Sequence, residues 1–233
     1  MTGSLADLVL AAAVFVASHL ALPVPGVRAR LVERLGEWGY LGFYSALSIV
    51  LLLWMVAAFV AAPAVQLWQP PTGLRHLALT LVFLGVMLAV VGYTQRNPTA
   101  VVLDRFAAGG PTGVTRVTRH PVMWGVGLWA VAHLLANGDA RASILFGGFA
   151  VLAFAGTVLI DRRRRLIGGE AWKALEAQTS NIPFIAMIGG RAGAGLGWTI
   201  AEIGYWRIGL GCAVYALLFM AHPWIAGLPA IRL

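Results

Sequence analysis

Residues 40–62 read YLGFYSALSIVLLLWMVAAFVAA, 23 consecutive positions without a charged side chain. A helix rises about 1.5 Å per residue, and crossing about 30 Å of hydrocarbon takes about 20 mostly apolar residues. This stretch therefore predicts a membrane span. Five more apolar stretches surround it, at 5–22, 74–93, 121–136, 142–160 and 205–225. The whole chain agrees: of its 233 residues 60% are hydrophobic and 11% charged, and the mean hydropathy is +0.82. A soluble domain is about 45–50% apolar and about 25% charged. The expectation is an all-α, polytopic transmembrane helix bundle of about six spans, forming a single domain over residues 1–233. The first stretch lacks a basic start and a small-residue cleavage site, so it reads as a span rather than a removable signal. The lone cysteine, Cys212, rules out an intrachain disulfide and cysteine-only metal clusters.

The formal charge of +8 is unevenly placed. Alternate connections carry Arg28, Arg30 and Arg34; then Arg96, Arg105, Arg116 and Arg119; then the four arginines 162–165 with Lys173, Arg191 and Arg207. The opposite side holds only Arg75, Arg141 and Arg232. Basic loops stay in the cytoplasm, so both termini are expected on the non-cytoplasmic side. The charge then serves topology and contact with anionic membrane lipid. No aromatic-interleaved basic module is present, so nucleic acid is not an expected partner.

The connections differ in kind. Residues 95–120, with RNPT and AAGGPTG, read as an ordered loop. Residues 161–204 form the largest extramembrane piece. They begin DRRRRL, pass through the short-helix pattern GEAWKALEA and reach NIPFIAMIGG. The apolar patch 182–188 is too short to span and is expected in the interface or folded back into the bundle. Trp38, Trp68, Trp172, Trp198, Trp206 and Trp224 sit near span ends, as an aromatic belt requires. Glycines crowd the second to sixth spans, which predicts close helix approach.

Ionisable side chains inside a membrane are costly and mark function. The acidic Asp7, Asp104, Asp139 and Asp161 fall at span ends, and no Ser-His-Asp spacing, Walker loop or HExxH occurs. Histidines remain. His19 and His133 lie within apolar runs, where a neutral imidazole can bind iron or form an interhelical hydrogen bond. Arg119 and His120 precede Pro121 at a helix start, placed to hold an anionic group of a cofactor. His76 and His222 read as interfacial.

The segments TRHPVMWGVGLWAVAHLLANGD (118–139), LFGGFAVLAFAGTVLIDRRRR (145–165) and GEAWKALEAQTSNIPF (169–184) strongly resemble the NnrU family of bacterial membrane proteins. The early SHL and the RNPT agree, and the likeness covers nearly the whole chain. It implies a multi-pass protein of the bacterial inner membrane linked to denitrification and nitric-oxide metabolism. The family is also similar to plant zeta-carotene isomerases, which depend on haem b. Their ligand histidines would fall on His19 and His133, and the histidine of their RHP on His120. The resemblance therefore implies haem b as cofactor, a membrane redox partner, and either nitrogen-oxide chemistry or cis–trans isomerisation of a carotenoid. No cysteine lies near His133 to exchange with it as a thiolate ligand. A more distant likeness reaches isoprenylcysteine methyltransferases and sterol reductases, with a cofactor at the RHP. In the methyltransferases a glutamate pair stands where this chain has DRRRRL. A non-enzymatic assembly partner is the remaining alternative. Helix rise alone places His19 about 7 Å to the cytoplasmic side of the midplane and His133 about 6 Å beyond it. Joint ligation of one iron then needs a haem lying parallel to the membrane, or shifted helices.

Overall fold

The computed structural model describes residues 3–99 and 110–227. Asp104, Arg105, Arg232 and the first residues of the AAGGPTG stretch lie outside these. The chain is an all-helical polytopic membrane bundle. Its elements are α1 (Leu5–Ala21), α2 (Pro25–Ala61), α3 (Thr72–Thr94), α4 (Val114–Val117), α5 (Pro121–Asn137), α6 (Ala140–Ile167), α7 (Gly169–Gln178), α8 (Ile185–Ile188), α9 (Leu196–Ile203) and α10 (Tyr205–Ala226). Among the described residues there is no strand, only an isolated bridge between Gln66 and Asp139. The helices α2, α3, α6 and α10 are long and apolar enough to cross a membrane, while α1 and α5 are shorter apolar helices. At 17 residues each, those two sit at the lower limit of a span.

Local chemistry sets the boundaries. Ser4 Oγ accepts the Asp7 N–H at 3.1 Å, and the Asp7 carboxylate accepts the Ser4 N–H at 3.0 Å, a reciprocal capping box. Gly138 at φ 72° ends α5, and Asp139 caps α6 by accepting the Ala142 N–H at 2.8 Å. Two elements exceed the sequence expectation. Helix α2 begins fifteen residues before the predicted span, and Gly36 (φ 71°) interrupts it. Its polar first part is tied down by an Arg28–Glu37 ion pair, with the Arg28 guanidinium over the Tyr40 ring. Helix α6 runs on through Asp161 and the arginine run.

The two ends of the bundle are defined by contacts. A Cβ on Gly3 would meet Ala61, and Gln66 pairs with Asp139. The starts of α1 and α6 and the ends of α2 and α5 therefore share one end. At the other, Arg207 donates from Nε to the Thr94 carbonyl at 3.2 Å, joining the start of α10 to the end of α3. Helix α10 thus finishes at the end where α1 begins. Both described termini lie on one side, and the arginine-rich connections gather on the opposite side.

The tightest pairing is α3 against α5. A Cβ on Gly85 would stand 2.7 Å from the Gly125 carbonyl oxygen, and one on Gly125 would stand 2.6 Å from that of Gly85. Small residues there let the two backbones touch. A second core joins Leu8, Ala11, Ala12 and Phe15 of α1 to Leu51 and Met55 of α2 and Leu145 of α6. Trp38, Trp198, Trp206 and Trp224 are exposed, as the belt expectation has it. Trp172 departs from that expectation: it is 1% exposed, folded under the α6–α7 corner. Its place near a span end masked its role as the anchor of the short helix α7.

Candidate functional site

At the arginine-rich end, residues 114–120 lie along residues 180–186 and are laced to them. Phe184 N–H donates to Val117 O at 2.8 Å, Arg119 N–H to Ser180 O at 3.0 Å, and Thr118 Oγ1 to Asn181 O at 2.5 Å. The NIPF segment has therefore folded back onto the bundle. Ala186 is fully buried while Ile182 and Ile188 stay exposed, so the patch serves both core and interface. Asn181 Nδ2 donates to Thr157 Oγ1 at 2.9 Å, and Trp124 Nε1 donates to Asn181 Oδ1 at 3.2 Å. One amide side chain thus joins α5, α6 and the loop.

This lacing positions Arg119, His120 and Asp161. Arg119 donates from Nε and Nη2 to the two Asp161 oxygens at 2.9 and 2.6 Å. His120 Nε2 lies 2.7 Å from Asp161 Oδ1. The carboxylate accepts, so Nε2 carries the proton. Burial pushes the His120 imidazole down toward the neutral form, against the pull of Asp161. His120 is 0% exposed and Asp161 4%. The His120 Nδ1 lone pair has no hydrogen-bond partner among the described residues. The sequence expectation gave Arg119 and His120 to an anionic group of a cofactor. The anion they hold here is the protein's own Asp161. Beside the knot an open cleft of about 350 Å³ is lined by Arg119, Glu176, Ser180, Asn181, Ile182 and Arg191, among others.

Sequence reading missed Asp161 as a site residue because it placed it with the solvated acids at span ends. A carboxylate directly after an apolar span and before four arginines was the available signal. Glu202 was not singled out at all. Glu202 takes a two-pronged Arg116 contact at 2.7 and 2.9 Å and the Gly113 N–H at 2.7 Å, and Trp198 Nε1 donates to it at 2.9 Å. The Arg116 hydrogen bonds hold its carboxyl below the ordinary 4.5, at about 2. A depressed carboxyl stabilises the fold above its unfolded value and loses that contribution as pH falls through the folded one. Acidification from pH 4.5 toward 2 is therefore expected to release α9. Trp198 fluorescence should report the transition, and Glu202→Gln should remove it by weakening α9 already at neutral pH.

The imidazoles within the bundle form the second part of the site. His19 Nδ1 lies 2.8 Å from Phe15 O, and His133 Nδ1 lies 2.8 Å from Trp129 O. A carbonyl only accepts, so each Nδ1 is protonated and each Nε2 presents its lone pair. That is the tautomer and orientation a metal-bound histidine adopts. The two rings are not brought together. Phe15 and Trp129 both touch Phe149, at ring separations of 5.7 and 5.5 Å. His19 lies one turn beyond Phe15 toward the arginine-rich end, and His133 one turn beyond Trp129 the opposite way. His19 packs on Tyr44, its ring 5.5 Å away. The neighbours of His133 are Phe146 at 4.6 Å and His222 at 6.4 Å. His222, expected at the interface, is half-buried at His133. His76 is exposed at the start of α3. Among the described residues no three His, Cys, Asp or Glu side chains converge as a metal site.

A helical membrane bundle with oriented imidazoles inside and a neutralised ion-pair knot at one end defines a polytopic membrane protein. The chain belongs to the NnrU protein family, whose sequence profile matches residues 7–230. It is 30% identical over 160 residues to the chloroplastic 15-cis-zeta-carotene isomerase of Zea mays, covering 67% of this chain and 44% of that protein. It is 38% identical over 80 residues to the Arabidopsis thaliana protein of the same name, covering 34% of this chain and 22% of that one. The chain thus matches less than half the length of these curated relatives. No solved structure matches it.

Proposed function

We propose that this protein is a haem-b-binding membrane isomerase that changes the cis–trans geometry of a long, lipid-soluble polyene. The observation that carries this reading is the 30% identity over 160 residues to the Zea mays isomerase. The donor chemistry supports it. Two imidazoles suffice for an ion only where it brings its other ligands along, as porphyrin iron does. His133 and His19 each have the tautomer that iron needs. When bound, the haem would supply a redox-variable iron. The chain's own contribution is to tie each Nδ1–H to a backbone carbonyl, keep Nε2 unprotonated and exclude water with Trp129, Phe146 and Phe149. A polyene would reach such a site from the lipid.

The arginine-rich end faces the cytoplasm in this reading, and the protein sits in the bacterial inner membrane. Nitrogen-oxide chemistry would use the same iron. Methyl transfer or reduction at the RHP has less support, because Arg119 and His120 are committed to Asp161. The test is expression in a bacterial host that accumulates 15-cis-zeta-carotene in darkness. Chromatography should show loss of the 15-cis isomer. Its persistence, with the protein present in the membrane, removes the isomerase reading.

A further inference from the structure

The pairing of Arg119 with Asp161 leaves the guanidinium incompletely used. An arginine has five N–H donors. Those of Arg119 make two hydrogen bonds to Asp161 and one, from Nη1, to Thr179 O at 3.3 Å. The side chain is 7% exposed, and it lines the cleft of about 350 Å³ beside the knot. Arg191 lines the same cleft and spends only Nη1, on Ala177 O at 2.9 Å and Thr179 O at 3.3 Å. Its Nε and Nη2 have no hydrogen-bond partner among the described residues. Both Nη1 atoms reach one carbonyl oxygen at 3.3 Å, so they stand within twice that distance of each other. The oxygens of a single phosphate can bridge such a gap. Ser180, in the same wall and buried, accepts the Ala186 N–H on Oγ at 2.9 Å and keeps its own proton to donate.

The charges do not balance. Arg119, Arg165 and Arg191 face two carboxylates, Asp161 and Glu176. Arg165 Nε donates to Glu176 at 2.9 Å, and Arg119 stands 3.6 Å from it. One positive charge is left over, and two cations drawn to one neutral carbonyl repel each other until an anion joins them. The rest of the wall is apolar. Ile182 and Ile185 line the cleft and are 57% and 49% exposed. They stand at the arginine-rich end, where the spans leave the membrane. Exposed isoleucine is costly against water and free of that cost against hydrocarbon. An inorganic anion would use the arginines and leave the isoleucines bare.

We propose that this cleft binds one anionic glycerophospholipid, with its phosphodiester on Arg119, Arg191 and Ser180 and an acyl chain along Ile182 and Ile185. A phosphodiester brings the one negative charge that the cleft lacks, whereas a zwitterionic headgroup brings a cation toward Arg191 as well. Basic pockets at the cytoplasmic membrane surface hold headgroups in this way. The site is separate from the imidazole interior and depends on neither haem nor a polyene. Bound lipid would clamp the 180–186 segment to Arg119.

The experiment is native mass spectrometry and thermal unfolding of the detergent-purified full chain with dioleoylphosphatidylglycerol, dioleoylphosphatidylcholine or inorganic phosphate. From an equimolar mixture of the two lipids the wild type should retain one phosphatidylglycerol, and only that lipid should raise the unfolding midpoint. Arg191→Gln should weaken retention roughly tenfold or more, the worth of a hydrogen bond to a charged group, and lose most of the midpoint rise. Lys173→Gln removes an exposed cation of α7 outside the cleft and should keep both. Unchanged retention in Arg191→Gln, an equal loss in Lys173→Gln, or a full midpoint rise with inorganic phosphate overturns the proposal. So does equal retention of the two lipids by the wild type, a comparison that stands whether or not Arg191→Gln folds.

Discussion

Asp161→Ala should destabilise the protein by about 3–5 kcal/mol, the cost of stripping one partner from a buried ion pair. Arg119 is buried, with its Nε and Nη2 both on this carboxylate. Its other acceptors in the knot are a Thr179 carbonyl at 3.3 Å from Nη1 and Glu176 at 3.6 Å, which Arg165 already engages. Removing Asp161 also strands the His120 Nε2–H. The damage should spread, because Arg119 N–H and Thr118 hold the 180–186 segment against α5. Midpoint shifts in detergent should show the loss. The sharper check is the double variant Arg119→Met with Asp161→Ala. If the cost is an orphaned charge, the pair of changes is milder than Asp161→Ala alone. Costs that simply add would show that the knot does not act as a unit.

The second large effect concerns the α3–α5 contact. A Cβ at Gly125 would stand 2.6 Å from the Gly85 carbonyl oxygen and 3.0 Å from Ala89 N, both backbone atoms that cannot swing aside. Alanine in a helix is worth about 1 kcal/mol over glycine, so propensity alone favours Gly125→Ala. Overpacking against a fixed backbone costs about 1–3 kcal/mol, and at this separation the clash wins. Gly125→Leu should go further and part the helices, losing folded protein in membranes. Gly147 supplies the control. Its Cβ would meet nothing within 4 Å, so Gly147→Ala should be neutral or slightly stabilising in the same thermal assay. Equal responses at the two positions would contradict the contact.

Much of this architecture could be read from hydropathy. The stretches expected at 74–93, 121–136 and 205–225 became Thr72–Thr94, Pro121–Asn137 and Tyr205–Ala226, because a lipid-facing segment has no choice but helix. The helical parts that were not legible are the polar ones. Arg28 and Glu37 support the first turns of α2 through each other, and Asp161 keeps α6 going past the apolar run. A charged residue looks like a boundary in sequence until its partner is known. Arg119 and His120 were found because RHP precedes a helix; the carboxylate that claims them lies about 40 positions away. Trp172 and His222 failed for the same reason. Position near a span end suggested the interface, and only packing shows one under a corner and the other beside His133.

We propose that iron porphyrin is held in this apolar interior. The most direct measurement is the visible absorption of the detergent-purified protein from haem-replete cells, recorded oxidised and after dithionite. A Soret band that sharpens and shifts on reduction, in stoichiometric amount and diminished in His133→Ala, is the predicted result. A well-folded preparation that absorbs only in the protein ultraviolet would contradict it.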